Sequence, residues 1–566
     1  MTLRERIVVA VLLSLHFALL FWATVNDTVV VDEVGHLAAG ISHWRTGNFD
    51  LYNVNPPLAR LVGTIPAVCF GLDVDLSTIK GSPWKRHEFD LGADVINGDA
   101  VRALLAVRLG RCLCFMFSLI GAWGCFSWAT ELWGGKAGIA ALALWCFSPT
   151  VLAYGHLFTP DVAGAAFGVV AYWRYWRFLN RPDWAEAIIA GIFAGLALAS
   201  KSTWIVILPP SWLIMFCLSR HGKANPRALA VVAIAALQVL WASYGFERAG
   251  FSLGEFRFSS RAFGAGDYSG ENYSNRYFGD SFLSPIVCPL PPSFVEGIDR
   301  QATEFERRSP SFLNGEWKFG GWWYYYICAF IYKEPVGLLA IMAWSLFDMA
   351  FSTKNYGWKS LYLLTPGLAL VLLISSQTGI NHHLRYLLPA YPFFFILAGR
   401  LVVRSQLAAS IFAFLLALSM LSVMYRSPHF MSYFNEAAGG PNAGHSLLAH
   451  SNVDWGQGGF SLKSWLNRHP EARPIEVVQV HSYSMVTLTS CRGLGVSEVE
   501  QPSVFGSERV WVAIPSSCLY GEYAFEGAKA WHSIPCSEVI GGATYYIFGP
   551  DRSSLPSPAV NHVDTQ

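Results

Sequence analysis

An acidic pair near the start of the chain is the first group of residues that could do chemistry. Asp32 and Glu33 precede apolar residues at helical spacing, Leu37, Ile41 and Trp44. This spacing predicts an amphipathic helix with both acids in its first turn. A carboxylate there could act as a general base on a hydroxyl group. It could equally cap the helix, because acids near a helix N-terminus interact favourably with the helix dipole.

Two histidines and a third acid extend this candidate group. His36 lies one helical turn after Glu33, a spacing that could support an acceptor or a metal ion, although a single histidine is more often only hydrogen-bonded. Asp161 follows His156 closely and opens an apolar segment. It is either an ordinary helix cap or, if it faces Asp32 across a cleft, a catalytic or metal-binding carboxylate.

Basic side chains form the other half of the candidate site. Arg60 follows the turn Asn55-Pro56-Pro57, and six further basic residues lie in or beside apolar segments: Arg102, Arg108, Arg111, Lys201, Lys333 and Arg385. A guanidinium within a membrane costs at least a few kcal/mol unless a partner compensates. Several such residues together favour a shared anionic ligand or internal pairing with the acids. The natural ligand would be a lipid phosphate or diphosphate.

The composition shows which elements must position these residues. Of the 566 residues, 53% are hydrophobic, whereas only 14% are charged, and the net charge is +1. Such a chain cannot cover a soluble surface, and it has no basic excess for nucleic-acid binding. The sequence therefore predicts a polytopic α-helical membrane protein.

Eleven apolar segments are candidates for membrane-spanning helices of about 20 residues. They cover about 6–25, 103–129, 137–157, 161–179, 185–200, 203–219, 227–246, 335–352, 359–376, 386–402 and 407–424. The first segment has no small-x-small cleavage site after it, so we interpret it as a retained anchor.

The distribution of Lys and Arg predicts the orientation of these helices. With the N-terminus in the cytoplasm, every cytoplasmic connection is short and basic, as the positive-inside rule requires. The outer regions 26–102 and 247–334 are then long and mixed in charge, and the candidate acids and bases all lie on the outer side. The odd number of spans places the C-terminal part outside as well.

The C-terminal part predicts a separate domain. Strands are expected at 475–480, 509–514 and 543–548, with a helix at 461–468. We predict a membrane domain over 1–425, a small outer α/β domain over 426–552 and a polar tail over 553–566. A disulfide among Cys491, Cys518 and Cys536 is left open. A further helix is expected near 296–308, in the second outer loop.

Several short motifs carry a resemblance to a known family. They are the segment 32–40 with Asp32-Glu33, Asn55-Pro56-Pro57-Leu58, His156 with Thr159-Pro160-Asp161, Lys201, Lys333-Glu334-Pro335, Arg385-Tyr386-Leu387-Leu388-Pro389, and a later block that contains Asn435-Glu436, Ser451-Asn452 and Asp454-Trp455-Gly456-Gln457. In order and topology the chain resembles the GT-C membrane glycosyltransferases of the protein O-mannosyltransferase and aminoarabinose transferase type. The bacterial relatives depend on a phospholipid carrier.

The resemblance implies a function and roles for residues. It implies inverting transfer of one sugar from a polyprenyl-phosphate donor to a hydroxyl of an extracytoplasmic acceptor, at the outer face of the bacterial inner membrane. It makes Asp32 the base, supported by Glu33 and Asp161, with His36 and His156 near the acceptor or a metal. It makes Lys201, Lys333 and Arg385 candidate contacts of the donor phosphate, and the charge pattern itself adds Arg60, Arg108 and Arg111 to these candidates. No cofactor is certain, and a divalent metal is left open.

Two other functions compete with this interpretation. An oligosaccharide transferase or ligase would share the fold, but the tryptophan-rich acceptor motif of oligosaccharyltransferases is missing. A lipid or glycan transporter should show repeats and polar groups at the middle of the membrane. The sequence shows no repeat, and its unexplained charges cluster at the outer end.

Overall fold

The computed structural model describes most of the chain. The described residues are 2–79, 86–218, 226–266, 273–351, 353–479, 483–491, 494–502, 510–521 and 524–550. The tail predicted at 553–566 lies outside them.

Helices dominate the described residues. The α-helices are α1 Leu3–Asn26, α2 Val31–Thr46, α3 Leu58–Gly63, α4 Ile65–Cys69, α5 His87–Gly98, α6 Ala100–Trp133, α7 Gly135–Cys146, α8 Pro149–Gly155, α9 Pro160–Asn180, α10 Trp184–Ser200, α11 Trp204–Leu218, α12 Pro226–Ser243, α13 Pro292–Arg307, α14 Tyr325–Lys333, α15 Val336–Phe351, α16 Thr353–Ser376, α17 Tyr391–Gly399, α18 Gln406–Arg426, α19 Pro441–Gly444, α20 Gly459–Arg468, α21 Met485–Leu488, α22 Ser516–Leu519 and α23 Ala528–Trp531. Short 3₁₀ helices are Leu76–Thr78, Leu253–Glu255, Leu384–Ala390, Arg400–Val403, Glu436–Ala438, His450–Asn452 and Pro470–Ala472. The strands are β1 Pro310–Leu313, β2 Glu316–Phe319, β3 Ile475–Val478, β4 Val496–Val499, β5 Trp511–Pro515, β6 Glu538–Ile540 and β7 Tyr545–Phe548.

The chain is a polytopic helical membrane protein, as its composition predicts. Among the described residues, four helical stretches are long and apolar enough to cross a membrane: α1, α6, Leu384–Val403 and α18. The pair α7 and α8 would add a fifth span. The other six predicted spans coincide with α9, α10, α11, α12, α15 and α16, which are helices that are shorter or less apolar.

One predicted span is not continuous. We expected a single helix over 137–157, but α7 and α8 meet at an angle of 62°. The break has a local cause, because Ser148 caps α8 through the backbone N–H of Val151 and Pro149 occupies its first turn. Proline at this position has no amide hydrogen to continue the hydrogen bonds of α7.

Helix α9 lies at the centre of the helical body. Every residue from Pro160 to Trp173 is buried. Its glycines permit close packing: a Cβ atom at Gly168 would lie 2.0 Å from the indole of Trp204 on α11. This burial fixes the position of Asp161 in the first turn of α9.

The helix predicted after the first span is α2. It packs against α5 and is buried from Glu33 to His43, whereas Trp44 near its end is half exposed. The helix expected near 296–308 is α13. It begins four residues earlier than expected, because Pro292 fits the first turn of a helix.

The C-terminal region contains a five-stranded sheet in the order β4-β3-β5-β7-β6. Strands β4, β3 and β5 are parallel, while β7 is antiparallel to β5 and β6. The predicted strands are β3, β5 and β7. Strands β4 and β6 were not predicted from the sequence, since they are short edge strands with little hydrophobic alternation. Cys491, Cys518 and Cys536 are all free, so none of them forms the disulfide that the sequence left open.

The boundary predicted at residue 425 stays a prediction. Phe430, Tyr433, Phe434, Leu448 and Trp455 lie beyond it, yet they pack in the same core as the helices. The sheet has its own smaller cores on its two faces. The region between 426 and the sheet is therefore continuous with the helical body in its packing.

Candidate active site

A cavity of about 640 Å³ lies at the N-terminal ends of α2 and α9. One wall carries charged side chains from four places in the chain, namely Asp32, Asp161, Lys201 and Arg385. We call these four residues the charged quartet. Another wall is apolar and comes from α11 and α16, with Ile205, Val206, Leu373 and Ile374. Helix α13 forms a third side.

The charged quartet is one network of ion pairs. Arg385 Nη2 donates to Asp32 Oδ2 at 2.9 Å, and Arg385 Nη1 lies 3.7 Å from Asp161 Oδ2. Lys201 Nζ donates to Asp161 Oδ1 at 2.7 Å. Arg385 thus lies between the two carboxylates. Asp32 is the least buried acid of the network, with 18% of its side chain exposed against 2% for Asp161.

Four elements bring the quartet together. Asp32 and Asp161 lie in the first turns of α2 and α9. Lys201 caps the C-terminus of α10, which packs along α9. Arg385 lies in the 3₁₀ helix Leu384–Ala390, whose start is fixed by Asn452: its Oδ1 accepts the amide of Leu384 at 3.1 Å.

Aromatic rings lie against both cations of the quartet, and burial removes these cations from water. The guanidinium carbon of Arg385 lies 4.2 Å from the ring centre of Trp455. Lys201 Nζ lies 5.3 Å from the ring centre of Tyr386. Burial lowers the pKa of Lys201, although the neighbouring carboxylate of Asp161 opposes this shift. Charges removed from water interact more strongly, so an anion entering the cavity would meet two poorly solvated cations.

Glu33 and Arg111 were predicted to be a catalytic acid and a phosphate ligand, and both roles stay predictions, because the structure shows only that the two residues pair with each other. They form a fully buried ion pair away from the cavity lining, with distances of 2.9 Å from Nε to Oε1 and 2.6 Å from Nη2 to Oε2. The remaining donors of Arg111 reach the carbonyl oxygens of Thr24, Asp27 and Thr28. All five N–H groups of Arg111 are therefore used within the protein.

Three further basic residues predicted to bind phosphate are also engaged elsewhere. Arg60 is buried and donates to the carbonyl oxygens of Tyr52, Asn55 and Pro56, so it holds the loop that lines the cavity. Arg108 donates to the carbonyl oxygen of Val25 and lies over the ring of Phe460. Neither Arg60 nor Arg108 itself lines the cavity.

Lys333 is the third of these residues. Its Nζ donates to the carbonyl oxygens of Met431 and Asn452 and lies 4.5 Å from the ring centre of Phe434. Lys333 therefore ties the end of α14 to the block around Asn452. The assignment of Arg60, Arg108 and Lys333 to the donor phosphate stays a prediction, although none of the three lines the cavity.

The two predicted histidines lie behind the cavity and do not line it. His156 contacts Asp27 Oδ2 at 3.0 Å and the carbonyl oxygen of Leu152 at 2.9 Å, so both ring nitrogens are used. The ring nitrogens of His36 have no hydrogen-bond partner among the described residues, and its ring lies 4.5 Å from that of Tyr52. Burial, with nearby arginines, lowers the pKa of His36 well below its ordinary value.

Several residues of the cavity were not predicted. They are Arg86, Gln301, Glu304, Arg307, His382 and His383. Arg86 pairs with Glu304 at 2.9 Å, which joins the first outer loop to α13. The two histidines could have been found, because they directly precede Arg385 in the chain. The residues on α13 gave no such signal, since many charged residues lie in that loop.

A divalent metal does not fit the described residues. No group of three or more His, Cys, Asp or Glu side chains in the described ranges is close enough to hold a metal ion. Asp161 is engaged by Lys201 and Arg385, and Glu33 by Arg111.

One family model matches part of this chain. Residues 101–244 match the dolichyl-phosphate-mannose-protein mannosyltransferase family. This match confirms the predicted resemblance to GT-C glycosyltransferases. The matched segment includes Asp161 and Lys201, whereas Asp32 and Arg385 lie outside it. The curated proteins gave no match.

Solved structures were also matched over nearly the whole of this chain. ArnT from Cupriavidus metallidurans in the apo state matches this chain with a TM-score of 0.47 at 13% identity, with 98% of each chain covered. ArnT from the same organism bound to undecaprenyl phosphate has a TM-score of 0.46 at 14% identity, with 98% of this chain and 99% of that chain covered. The oligosaccharyltransferase AglB from Archaeoglobus fulgidus, in complex with an inhibitory peptide and a dolichol-phosphate, has a TM-score of 0.43 at 13% identity, with 98% and 75% covered.

Proposed function

We propose that this protein is an inverting glycosyltransferase that moves one sugar from a polyprenyl-phosphate donor to a hydroxyl of an extracytoplasmic acceptor. The observation that carries the proposal is the cavity, where Asp32 lies beside two buried cations, Lys201 and Arg385. The family match over residues 101–244 supports a lipid-phosphate-linked donor.

The two kinds of cavity wall suit the two parts of such a donor. The phosphate would lie against Lys201 and Arg385, and the isoprenoid chain would contact Ile205, Val206 and Leu373. This arrangement keeps the apolar chain in an apolar environment and the charge next to cations. The orientation inferred from Lys and Arg puts the site at the outer face of the membrane.

In this proposal Asp32 is the general base. Its carboxylate takes the proton of the acceptor hydroxyl while the hydroxyl oxygen attacks the anomeric carbon. The bond from that carbon to the phosphate oxygen breaks, the configuration inverts, and the lipid phosphate leaves with the bonding electrons. Lys201 and Arg385 stabilise the negative charge that develops on the leaving phosphate. Asp161 fixes both cations and does not itself take a proton.

The test is transfer from a radiolabelled polyprenyl-phosphate sugar in membranes that contain the protein. Asp32→Asn should lower the rate by about 10²–10⁴-fold, the usual contribution of general base catalysis. Asp75→Asn is the matched control, because Asp75 is exposed and its carboxylate accepts hydrogen bonds from the amide and hydroxyl of nearby Ser77. Unchanged turnover in a folded Asp32→Asn variant would show that Asp32 is not the base.

A further inference from the structure

Residues 451–459 contact two segments of the candidate site, the one that leads to Asp32 and the one that carries Arg385. On one side they pair with the segment that leads into α2: the amide of Thr28 donates to Gln457 O at 3.0 Å and the amide of Val31 donates to Trp455 O at 3.1 Å. The hydroxyl of Thr28 also donates to Gly456 O at 2.6 Å. The backbone just before Asp32 is therefore held by this segment.

On the other side the same residues hold the segment that carries Arg385. Asn452 accepts the amide of Leu384 at 3.1 Å and donates to His382 O at 2.7 Å. Ser451 bonds to the ring of His383. The indole of Trp455 lies 4.2 Å from the guanidinium carbon of Arg385. Trp455 thus contacts Val31, the residue directly before Asp32, through its carbonyl group, and Arg385 through its ring.

Trp455 is itself fixed from several directions. Its amide donates to Gln457 Oε1 at 2.6 Å, and Gln457 Nε2 donates back to Val453 O at 2.9 Å. Asp454 accepts the hydroxyl of Ser517 at 2.6 Å and so joins the segment to α22, directly after β5. Only 6% of Trp455 is exposed. The position of Trp455 is therefore set by the outer sheet as well as by the helices.

We propose that Trp455 is a positioning residue that holds the Arg385 guanidinium beside Asp32, and that the outer C-terminal region contributes to catalysis through it. The ring restricts the guanidinium to the plane in which it can bond to Asp32 and to an incoming phosphate. The carbonyl group of Trp455, which accepts the amide of Val31, holds the start of α2 and with it Asp32 close to Arg385. This inference rests on the proposed function for its catalytic part, whereas the contact between Trp455 and Arg385 can be tested separately.

The contact is tested first with a double-mutant cycle on thermal unfolding of the full chain in detergent. The variants are Trp455→Leu, Arg385→Gln and the double variant. Coupled residues give non-additive effects, so the midpoint shift of the double variant should be smaller than the sum of the single shifts. Trp511→Leu combined with Arg385→Gln is the control pair, because Trp511 lies in β5 and packs on Trp465. Additive shifts for Trp455 and Arg385 would overturn the proposal.

The catalytic part is tested with the same transfer assay. Trp455→Leu should lower kcat by about 2- to 30-fold, the range that a cation–π contact represents, with a smaller change in the acceptor KM. Trp455→Phe keeps an aromatic face and should retain more of kcat than Trp455→Leu. Equal losses in the two variants would contradict the role of the ring. If the wild type transfers no sugar but the cycle is non-additive, the proposed function fails and the positioning contact stands.

Discussion

Asp32 and Glu33 are neighbours in the chain, yet their carboxylates have different partners. Successive residues of an α-helix are rotated by about 100°, so only one of the two can face the cavity. Asp32 meets Arg385 at the cavity wall, whereas Glu33 meets Arg111 in the core. The two acids are therefore divided between the cavity wall and the buried core.

The structural role of Glu33 leads to a prediction about stability. Glu33→Gln removes the charge that compensates Arg111, and both side chains are fully buried. Breaking a buried ion pair in this way costs roughly 3–5 kcal/mol of the free energy of unfolding. The measurement is the thermal unfolding midpoint in detergent, which should fall well below that of the wild type.

The control for this prediction is the exposed pair Arg45–Asp73, with its 3.1 Å contact and a side chain of Asp73 that is 63% exposed. Asp73→Asn should change stability by less than about 1 kcal/mol. If Glu33→Gln kept the midpoint of the wild type but abolished transfer, the acid would have a chemical role after all.

At the residue scale, the sequence predicted which residues lie in the site better than it predicted which partners each of them contacts. Asp32, Asp161, Lys201 and Arg385 were all expected in the site, and the structure brings these four together. Their catalytic and phosphate-binding roles stay predictions. Arg111 and Lys333 looked equivalent to Lys201 in the sequence, because each is a basic residue near an outer helix end. The packing of segments far apart in the chain decides which of these side chains binds a carbonyl oxygen and which one lines the cavity.

At the scale of elements, α13 is the wall that connects the two outer loops. Gln301 Nε2 donates to Val54 O at 2.5 Å, and Gln301 Oε1 accepts the hydroxyl of Ser202 at 2.9 Å. Gly297 permits this close approach, because a Cβ atom there would lie 2.2 Å from Asn53 O. The helix therefore sets the distance between the loop 52–55 and Lys201.

This close approach gives a prediction for one methyl group. Gly297→Ala should push α13 away from the loop 52–55 and lower the rate of transfer, although α13 itself should gain helix propensity. Gly98→Ala is the matched control, because a Cβ atom at Gly98 near the end of α5 has nothing within 4 Å. Transfer assays on both variants are the measurement. Equal rates for Gly297→Ala and Gly98→Ala would show that this wall does not shape the site.

The helical elements were mostly predictable, since apolar length and periodicity are properties of the local sequence. Helix α13 was expected from the same reasoning. The bend between α7 and α8 was missed, although Ser148-Pro149 is a recognisable helix start. The long apolar run across that point masked the signal. Strands β4 and β6 were missed because a short edge strand gains its order from its neighbour.

At the scale of the whole molecule, the orientation in the membrane stays a prediction that cysteine labelling can test. Cys536 is exposed in the C-terminal region, whereas Cys518 is buried. A membrane-impermeant maleimide added to intact spheroplasts should label the wild type, and Cys536→Ser should lose part of that label. Cys518→Ser is the control and should label like the wild type. A Cys536 that reacts only after the membrane is opened would reverse the orientation.

The site joins parts of the chain that are synthesised far apart in time. The hydroxyl of Thr28 bonds to the carbonyl oxygen of Gly456, 428 residues later. At a synthesis rate of about 5–20 residues per second, the first segment waits roughly 20–90 s for its partner. A nascent or truncated chain with α1 and α2 already in the membrane therefore lacks residues 451–459, which hold the backbone before Asp32. The proposed active site can form only at the end of translation.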